Sequence, residues 1–226
     1  MKPAAFVFDA YGTLFDVTAA ARLAAAEPGA EVLVGIWAEL ADKWRRKQLE
    51  YSWLRAIMGM HADFAEVTAD ALDWSMEAHG LGAEHALRAR LLSLYERLSA
   101  YPEVPNVLAA LRNKGAKLAI LSNGSPEMLA AAVDSAGITG ALDAVISVEE
   151  VQIFKPAEVV YSLVEKHLNV APPQVLFISS NGWDVAGASR FGFQTAWVNR
   201  SHQPVDRLPH GPRHILRDLT PLPDMF

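Results

Sequence analysis

Asp9 ends the apolar run Phe6-Val7-Phe8 and is followed at once by the glycine-containing turn Ala10-Tyr11-Gly12-Thr13. A carboxylate in that place can act as a nucleophile if its surroundings keep it ionised and aimed. Three further polar groups also follow apolar runs or loops: Ser122-Asn123-Gly124-Ser125, Lys155-Pro156, and Ser179-Ser180-Asn181-Gly182-Trp183-Asp184. Each has a plainer use when taken alone. Asp9 could cap a helix, Thr13 could satisfy backbone, Ser122 to Ser125 could be a turn and N-cap, and Lys155 could be a solvated residue before a helix-opening proline. In an open α/β sheet, however, ligands bind outside the carboxyl ends of the strands. The four groups are therefore expected to converge on one crevice, and that convergence, more than any single tetrapeptide, carries the chemistry.

The elements that must position them follow from short β-branched or aromatic runs bounded by turn residues, at 5–9, 117–122, 144–147, 175–179 and 194–199. Helical patterns lie between them at 104–114, 127–136, 156–167 and 185–191. That alternation predicts an α/β fold, a doubly wound Rossmann-like parallel sheet with helices on both faces. The interval 17–100 has no convincing strand and carries Ile36, Leu40, Trp44 and Trp53, Leu54, Ile57 at helical spacing. It is too long for one crossover and reads as an inserted helical cap, with Pro102 to Pro105 marking re-entry. The expected division is a core of 1–16 and 101–226 with a cap of 17–100. The tail beyond Arg200 shows only a possible short strand at 214–216.

Asp9-x-Tyr11-Gly12-Thr13-Leu14-x-Asp16, Leu121-Ser122-Asn123-Gly124-Ser125, Phe154-Lys155-Pro156 and the run from Ser179 to Asp184 resemble the four motifs of the haloacid dehalogenase superfamily. Trp44 to Tyr51 and Trp53-Leu54-Arg55 resemble specifically the L-2-haloacid dehalogenases. The resemblance implies that Asp9 displaces halide from the α-carbon of a 2-haloalkanoate, giving an ester that water hydrolyses to a 2-hydroxy acid of inverted configuration. It implies that Lys155 holds Asp9 ionised and that Thr13 fixes its rotamer. Ser122, with the backbone N–H groups of Ala10 and Tyr11, would cradle the substrate carboxylate. Arg45, Asn123 and Trp183 would bind the halide, Arg45 also serving the substrate and the catalytic step. Asn181 and Asp184 would position the water, Ser179 would tie this network to Lys155, and Tyr161 would stand near the nucleophile on the helix that Lys155 begins. Arg46 and Lys47 read as a solvated helix face, and Trp44 and Trp53 as core.

Departures from the phosphate-transferring branch matter equally. Such an enzyme needs a second carboxylate two residues after the nucleophile and further carboxylates for Mg²⁺. Tyr11 occupies the first place and Ser180-Asn181 the acidic pair's place, so neither a metal nor another cofactor is expected. A different substrate for the same nucleophile, such as a phosphate ester or a strained carboxylated ring, stays open, as does a catalytically idle binding protein.

The 226 residues carry a formal net charge of −6, 51% hydrophobic residues and no cysteine. Nucleic-acid binding is not suggested, and thiolate chemistry and disulfides are excluded. The seven histidines are scattered, which speaks against zinc or histidine-based hydrolysis. Lys2-Pro3 runs straight into the first strand, so no secretory signal is expected. No stretch has the roughly 20 apolar residues of a membrane span. A cytoplasmic location fits, and a homodimer is implied by the resemblance.

Overall fold

A computed structural model describes residues 2–225. Six strands form one sheet, all parallel, in the order β3-β2-β1-β4-β5-β6. They are β1 (Ala5–Phe8), β2 (Lys117–Ser122), β3 (Ala144–Ser147), β4 (Val175–Ser179), β5 (Gln194–Val198) and β6 (His214–Leu216). The four inner runs AFVF, LAILS, VLFIS and QTAWV are buried on both faces, as parallel strands covered by helices must be. Helices α5 (Val104–Asn113), α6 (Pro126–Ser135), α7 (Glu158–Leu168) and α8 (Gly182–Phe191) alternate with these strands. A terminal turn of helix, Leu222–Met225, closes the chain.

Strand order reverses at β1, which lies between β2 and β4 with Phe8 opposite both Ile120 and Ile178. That reversal opens a crevice at the carboxyl edge of β1, the place where this type of sheet binds ligands. Asp9 follows directly, its N–H donating to the Ile178 carbonyl at 2.8 Å.

Two helices begin elsewhere than the sequence pattern predicts. α8 opens at Gly182, three residues early, which puts Asp184 in its first turn. α7 opens at Glu158, so Lys155 lies in the preceding loop and does not start the helix that carries Tyr161.

Between β1 and β2 the chain is helical: α1 (Ala19–Ala24), α2 (Trp37–Met58), α3 (Phe64–Glu77) and α4 (His85–Glu96). α2 buries Leu40, Trp44, Gln48 and Ser52 along one row of i, i+4 positions. It stops at Gly59, whose φ of 65° suits a residue without Cβ and lets the Met60 N–H reach the Arg55 carbonyl at 2.9 Å. Asp63 then caps α3 by accepting from the Ala65 N–H.

The two passages between sheet and helical segment run side by side. Asp16 N–H donates to the Ser99 carbonyl at 3.0 Å and Tyr101 N–H to the Leu14 carbonyl at 2.9 Å. Arg200, at the start of the tail, fastens this junction. Its Nη2 donates to the Thr13 carbonyl at 2.9 Å and pairs with Glu103 at 2.7 Å, while its guanidinium lies 3.6 Å from the Tyr101 ring centroid. Removing it leaves the Thr13 carbonyl unpaired and Glu103 with only the Leu219 N–H, at 3.5 Å. Arg200→Ala is expected to cost about 1–3 kcal/mol in urea-induced unfolding, and a change below about 0.5 kcal/mol would show that the tail contributes no anchor here.

Candidate active site

Asp9 is only 6% exposed and every donor around it comes from a different loop. Lys155 Nζ lies 3.2 Å from Oδ1, while Thr13 Oγ1 and Asn181 Nδ2 donate to Oδ2 at 2.9 and 3.0 Å. Thr13 is aimed in turn by the Ser180 N–H, which donates to its Oγ1 at 2.7 Å. A carboxylate with both oxygens engaged keeps a single rotamer, the condition for a nucleophile that must meet carbon in line.

Lys155 also reaches Asp184 Oδ2 at 2.9 Å, so one ammonium bridges two carboxylates. Burial pulls the lysine pKa down, but Asp184 and Asp9 outweigh it and hold the group above the ordinary lysine value. Burial pushes the Asp184 carboxyl above the usual carboxylate range, with the Lys155 charge opposing. Tyr161 OH donates to Asp184 Oδ1 at 2.8 Å. Burial, and then the Asp184 charge, raise that phenol well above its ordinary value, so it stays a donor. The phenol fits because residue 187 is glycine: a Cβ there would stand 2.5 Å from Tyr161 Oη.

Lys155 is held from behind by Asn123, whose Oδ1 accepts the Lys155 backbone N–H at 2.9 Å. The amide nitrogen of Asn123 is thus the end left for a ligand. Ser122 is fully buried at the end of β2, its Oγ accepting from Gly124 N–H at 3.1 Å. Among the described residues neither the Ala10 nor the Tyr11 amide N–H has an acceptor. Two N–H groups without an acceptor in the turn directly after Asp9 are able to take an anion.

Arg45 enters from α2. Its Nη2 donates to the Tyr11 carbonyl at 3.3 Å and lies 3.4 Å from Asn181 Oδ1. A side chain of the helical insertion therefore reaches residues flanking Asp9. Arg46, one position on, points outward to a pair with Asp42.

Several expectations need correction. Ser179 does not tie the network to Lys155; its Oγ accepts from the Asn181 N–H at 3.1 Å and so orients the residue that touches Asp9. Trp44 is core, with Nε1 donating to the Thr68 carbonyl at 2.8 Å. Trp53 is not: it is half-buried and meets Trp183 edge-on, ring centroids 5.4 Å apart. Trp183 makes that ring contact, and its buried Nε1 has no hydrogen-bond partner among the described residues. Lys47 is not freely solvated, since its ammonium sits 4.4 Å from the Trp74 ring centroid and pairs with Glu50. Sequence reasoning also missed Arg200, Ser180, Tyr95 and Gln48. Of these Gln48 had a signal, because it lies three residues after Arg45 on the same face of α2.

Among the described residues there is no group of three or more His, Asp or Glu side chains disposed to hold a metal ion.

Comparison with known proteins gives a consistent result. The model of the haloacid dehalogenase-like hydrolase family matches residues 3–192. The (S)-2-haloacid dehalogenase 1 of Pseudomonas sp. (strain CBS-3) is 45% identical over 222 residues, covering 98% of this chain and 96% of its own. The (S)-2-haloacid dehalogenase of Xanthobacter autotrophicus is 48% identical over 88% of this chain and 76% of its own. The solved structure of L-2-haloacid dehalogenase from Xanthobacter autotrophicus with chloropropionic acid covalently bound superposes with a TM-score of 0.87. It is 40% identical, with 99% of this chain and 98% of that one covered.

Lys155→Met removes the cation between two buried carboxylates and is expected to cost about 3–5 kcal/mol at neutral pH. The Asp184 carboxyl, raised further, is neutral below its folded pKa and unfavourably charged above it. Its contribution is therefore retained at low pH and lost as pH rises through that pKa. Urea unfolding should show the deficit shrinking from pH 8 toward pH 5, and a pH-independent deficit would contradict the shared-ammonium account.

Proposed function

The chain belongs to the haloacid dehalogenase-like hydrolases, and from that membership and the site geometry we infer that it is an (S)-2-haloacid dehalogenase. It hydrolyses L-2-haloalkanoates to D-2-hydroxy acids through an ester on Asp9. The observation that carries this reading is the donor set on Asp9: a lysine ammonium, a threonine hydroxyl and an asparagine amide engage both oxygens of a buried carboxylate and aim it.

In the first step a carboxylate oxygen of Asp9 attacks the α-carbon from the side opposite the halogen. The C–O bond forms as the C–X bond breaks, and the electron pair leaves with the halide. The Ala10 and Tyr11 amides, Ser122 and Asn123 hold the substrate carboxylate. Arg45, the amide of Asn123 and the unpartnered indole N–H of Trp183 receive the halide, donors meeting charge where it develops. In the second step water attacks the Asp9 carboxyl carbon, the acyl C–O bond breaks, and the alkoxide takes a proton to become the hydroxy acid. Asn181 and Asp184 position that water; Asp184 retains lone pairs beyond those given to Lys155 and Tyr161. One inversion occurs, at the α-carbon.

The reading includes metal independence. Tyr11 and Ser180-Asn181 withhold the carboxylates Mg²⁺ prefers, and a monoanionic haloacid brings no phosphate charge to neutralise. Residues 17–100 act as a cap over the sheet edge, with 1–16 and 101–226 as the core. A homodimer in the cytoplasm completes the proposal. Leu54, Ile57, Met58 and Met60, exposed together near the end of α2, support self-association, and among the described residues no helix is long and apolar enough to cross a membrane.

Free-halide release from L-2-chloropropionate, with the D-enantiomer as control, tests the assignment. Release from the L form, undiminished by exhaustive chelation, is expected; loss of activity in EDTA with recovery on adding Mg²⁺ would overturn metal independence.

Isotopes decide between attack by Asp9 and attack by water at the α-carbon, since both routes invert once. In a single turnover in H₂¹⁸O with enzyme in excess, the hydroxy acid should remain unlabelled and ¹⁸O should appear in the peptide containing Asp9. Labelled product with unlabelled Asp9 would make Asp9 a general base instead.

A further inference from the structure

Arg45 faces two ways. While Nη2 reaches the Tyr11 carbonyl and Asn181, Nη1 turns back into the helical segment and donates to Gln48 Oε1 at 2.7 Å. Gln48 is 1% exposed, and its amide is fully engaged. Nε2 donates to Thr68 Oγ1 at 2.7 Å and lies 3.1 Å from Tyr95 OH, and the Thr68 hydroxyl donates onward to the Phe64 carbonyl at 2.6 Å. Its orientation admits one solution. Arginine has no acceptor, so the amide oxygen must face Arg45 and the nitrogen must face the hydroxyls.

The circuit closes through the core. Tyr95, whose OH is also 3.4 Å from Gln48 Oε1, stacks on Tyr11 with ring centroids 5.6 Å apart and 19° between planes. The carbonyl of that same Tyr11 accepts from Arg45. Arg45, Gln48, Tyr95 and Tyr11 thus form a ring joining α2 and α4 to the turn after the nucleophile. An unrestrained arginine side chain samples many rotamers, most of which would not face the halide. A donor meant to meet developing charge works best when already fixed.

The geometry points to Gln48 as a positioning residue that holds the Arg45 guanidinium toward the departing halide. Gln48 itself touches no reacting atom. This rests on the reading of Arg45 as a halide-binding group, and the experiment separates the two.

Chloride release and chloride product inhibition are measured on wild type, Arg45→Ala, Gln48→Met, the double variant and Gln48→Glu, with Arg46→Ala as a surface control and thermal unfolding of each. Gln48→Met should lower kcat on L-2-chloropropionate about 10-fold and weaken chloride inhibition about 5-fold, leaving KM within about 2-fold. In the Arg45→Ala background it should add less than about 2-fold. Gln48→Glu returns an oxygen to Arg45, and the hydroxyls of Thr68 and Tyr95 can turn to donate to it, so kcat should recover to within about 3-fold of wild type. If Gln48→Met does not fold, Thr68→Val, which removes one acceptor of the Gln48 amide, should still weaken chloride inhibition about 3-fold. An Arg45→Ala enzyme as fast as wild type would overturn the halide role of Arg45 and the proposal with it. A slow Arg45→Ala combined with unchanged chloride inhibition in the Gln48 and Thr68 variants would overturn the Gln48 proposal alone. So would a full, additive loss in the double variant.

Discussion

One ammonium between two buried carboxylates is the constraint around which this molecule is arranged. Lys155 cannot be withdrawn without leaving Asp9 and Asp184 buried and deprived of their shared cation. Its three donor directions also fix distances. β1 delivers Asp9, the loop before α7 delivers Lys155, and the first turn of α8 delivers Asp184, so three separate crossings of the sheet must meet within hydrogen-bonding reach. The supporting bonds, from Asn123 to the Lys155 backbone and from Tyr161 to Asp184, keep that meeting point stationary.

The helical segment completes what the sheet begins. Trp44, Tyr95, Tyr11, Phe64 and Phe154 form a connected series of ring contacts from the interior of the helices to the turn after Asp9. Such a wall lowers the local dielectric response, which strengthens the Lys155 pairs and every other charge interaction near them. It also explains why Arg45 needs an interior partner. An arginine reaching through an apolar layer must satisfy the arms that do not face the ligand, and Gln48 supplies that acceptor.

What could be read from sequence was what is local. An apolar run ending in Asp9, or a β-strand ending in Ser179, announces itself within a few residues, and the order of such runs gave the parallel sheet. The positions of Lys155 and Trp53 depended on partners far along the chain. Lys155 looked like a helix start because Pro156 follows it, yet its backbone is claimed by Asn123. Trp53 and Trp44 share a helix and an amino-acid type, but only Trp44 finds a buried carbonyl, at Thr68, while Trp53 meets Trp183 at the start of α8. Arg200 lies in a stretch without motif, and its use appears only when Thr13, Tyr101 and Glu103 are seen to surround it.

The placement of β1 at the centre of the sheet has a consequence for how the protein is made. Ala5 lies opposite Lys117 on one side and Val175 on the other, so the strand that leads into Asp9 leaves the ribosome before the strands beside it and acquires its neighbours late. At roughly 5–20 residues per second, that interval lasts from about 6 seconds to about half a minute. During it β1 is an apolar segment with both edges open, while the helices that follow can form from nearby contacts alone. Shelter of that strand by the nascent helices would shorten its exposure, a consequence of placing a central strand ahead of all its neighbours in the chain.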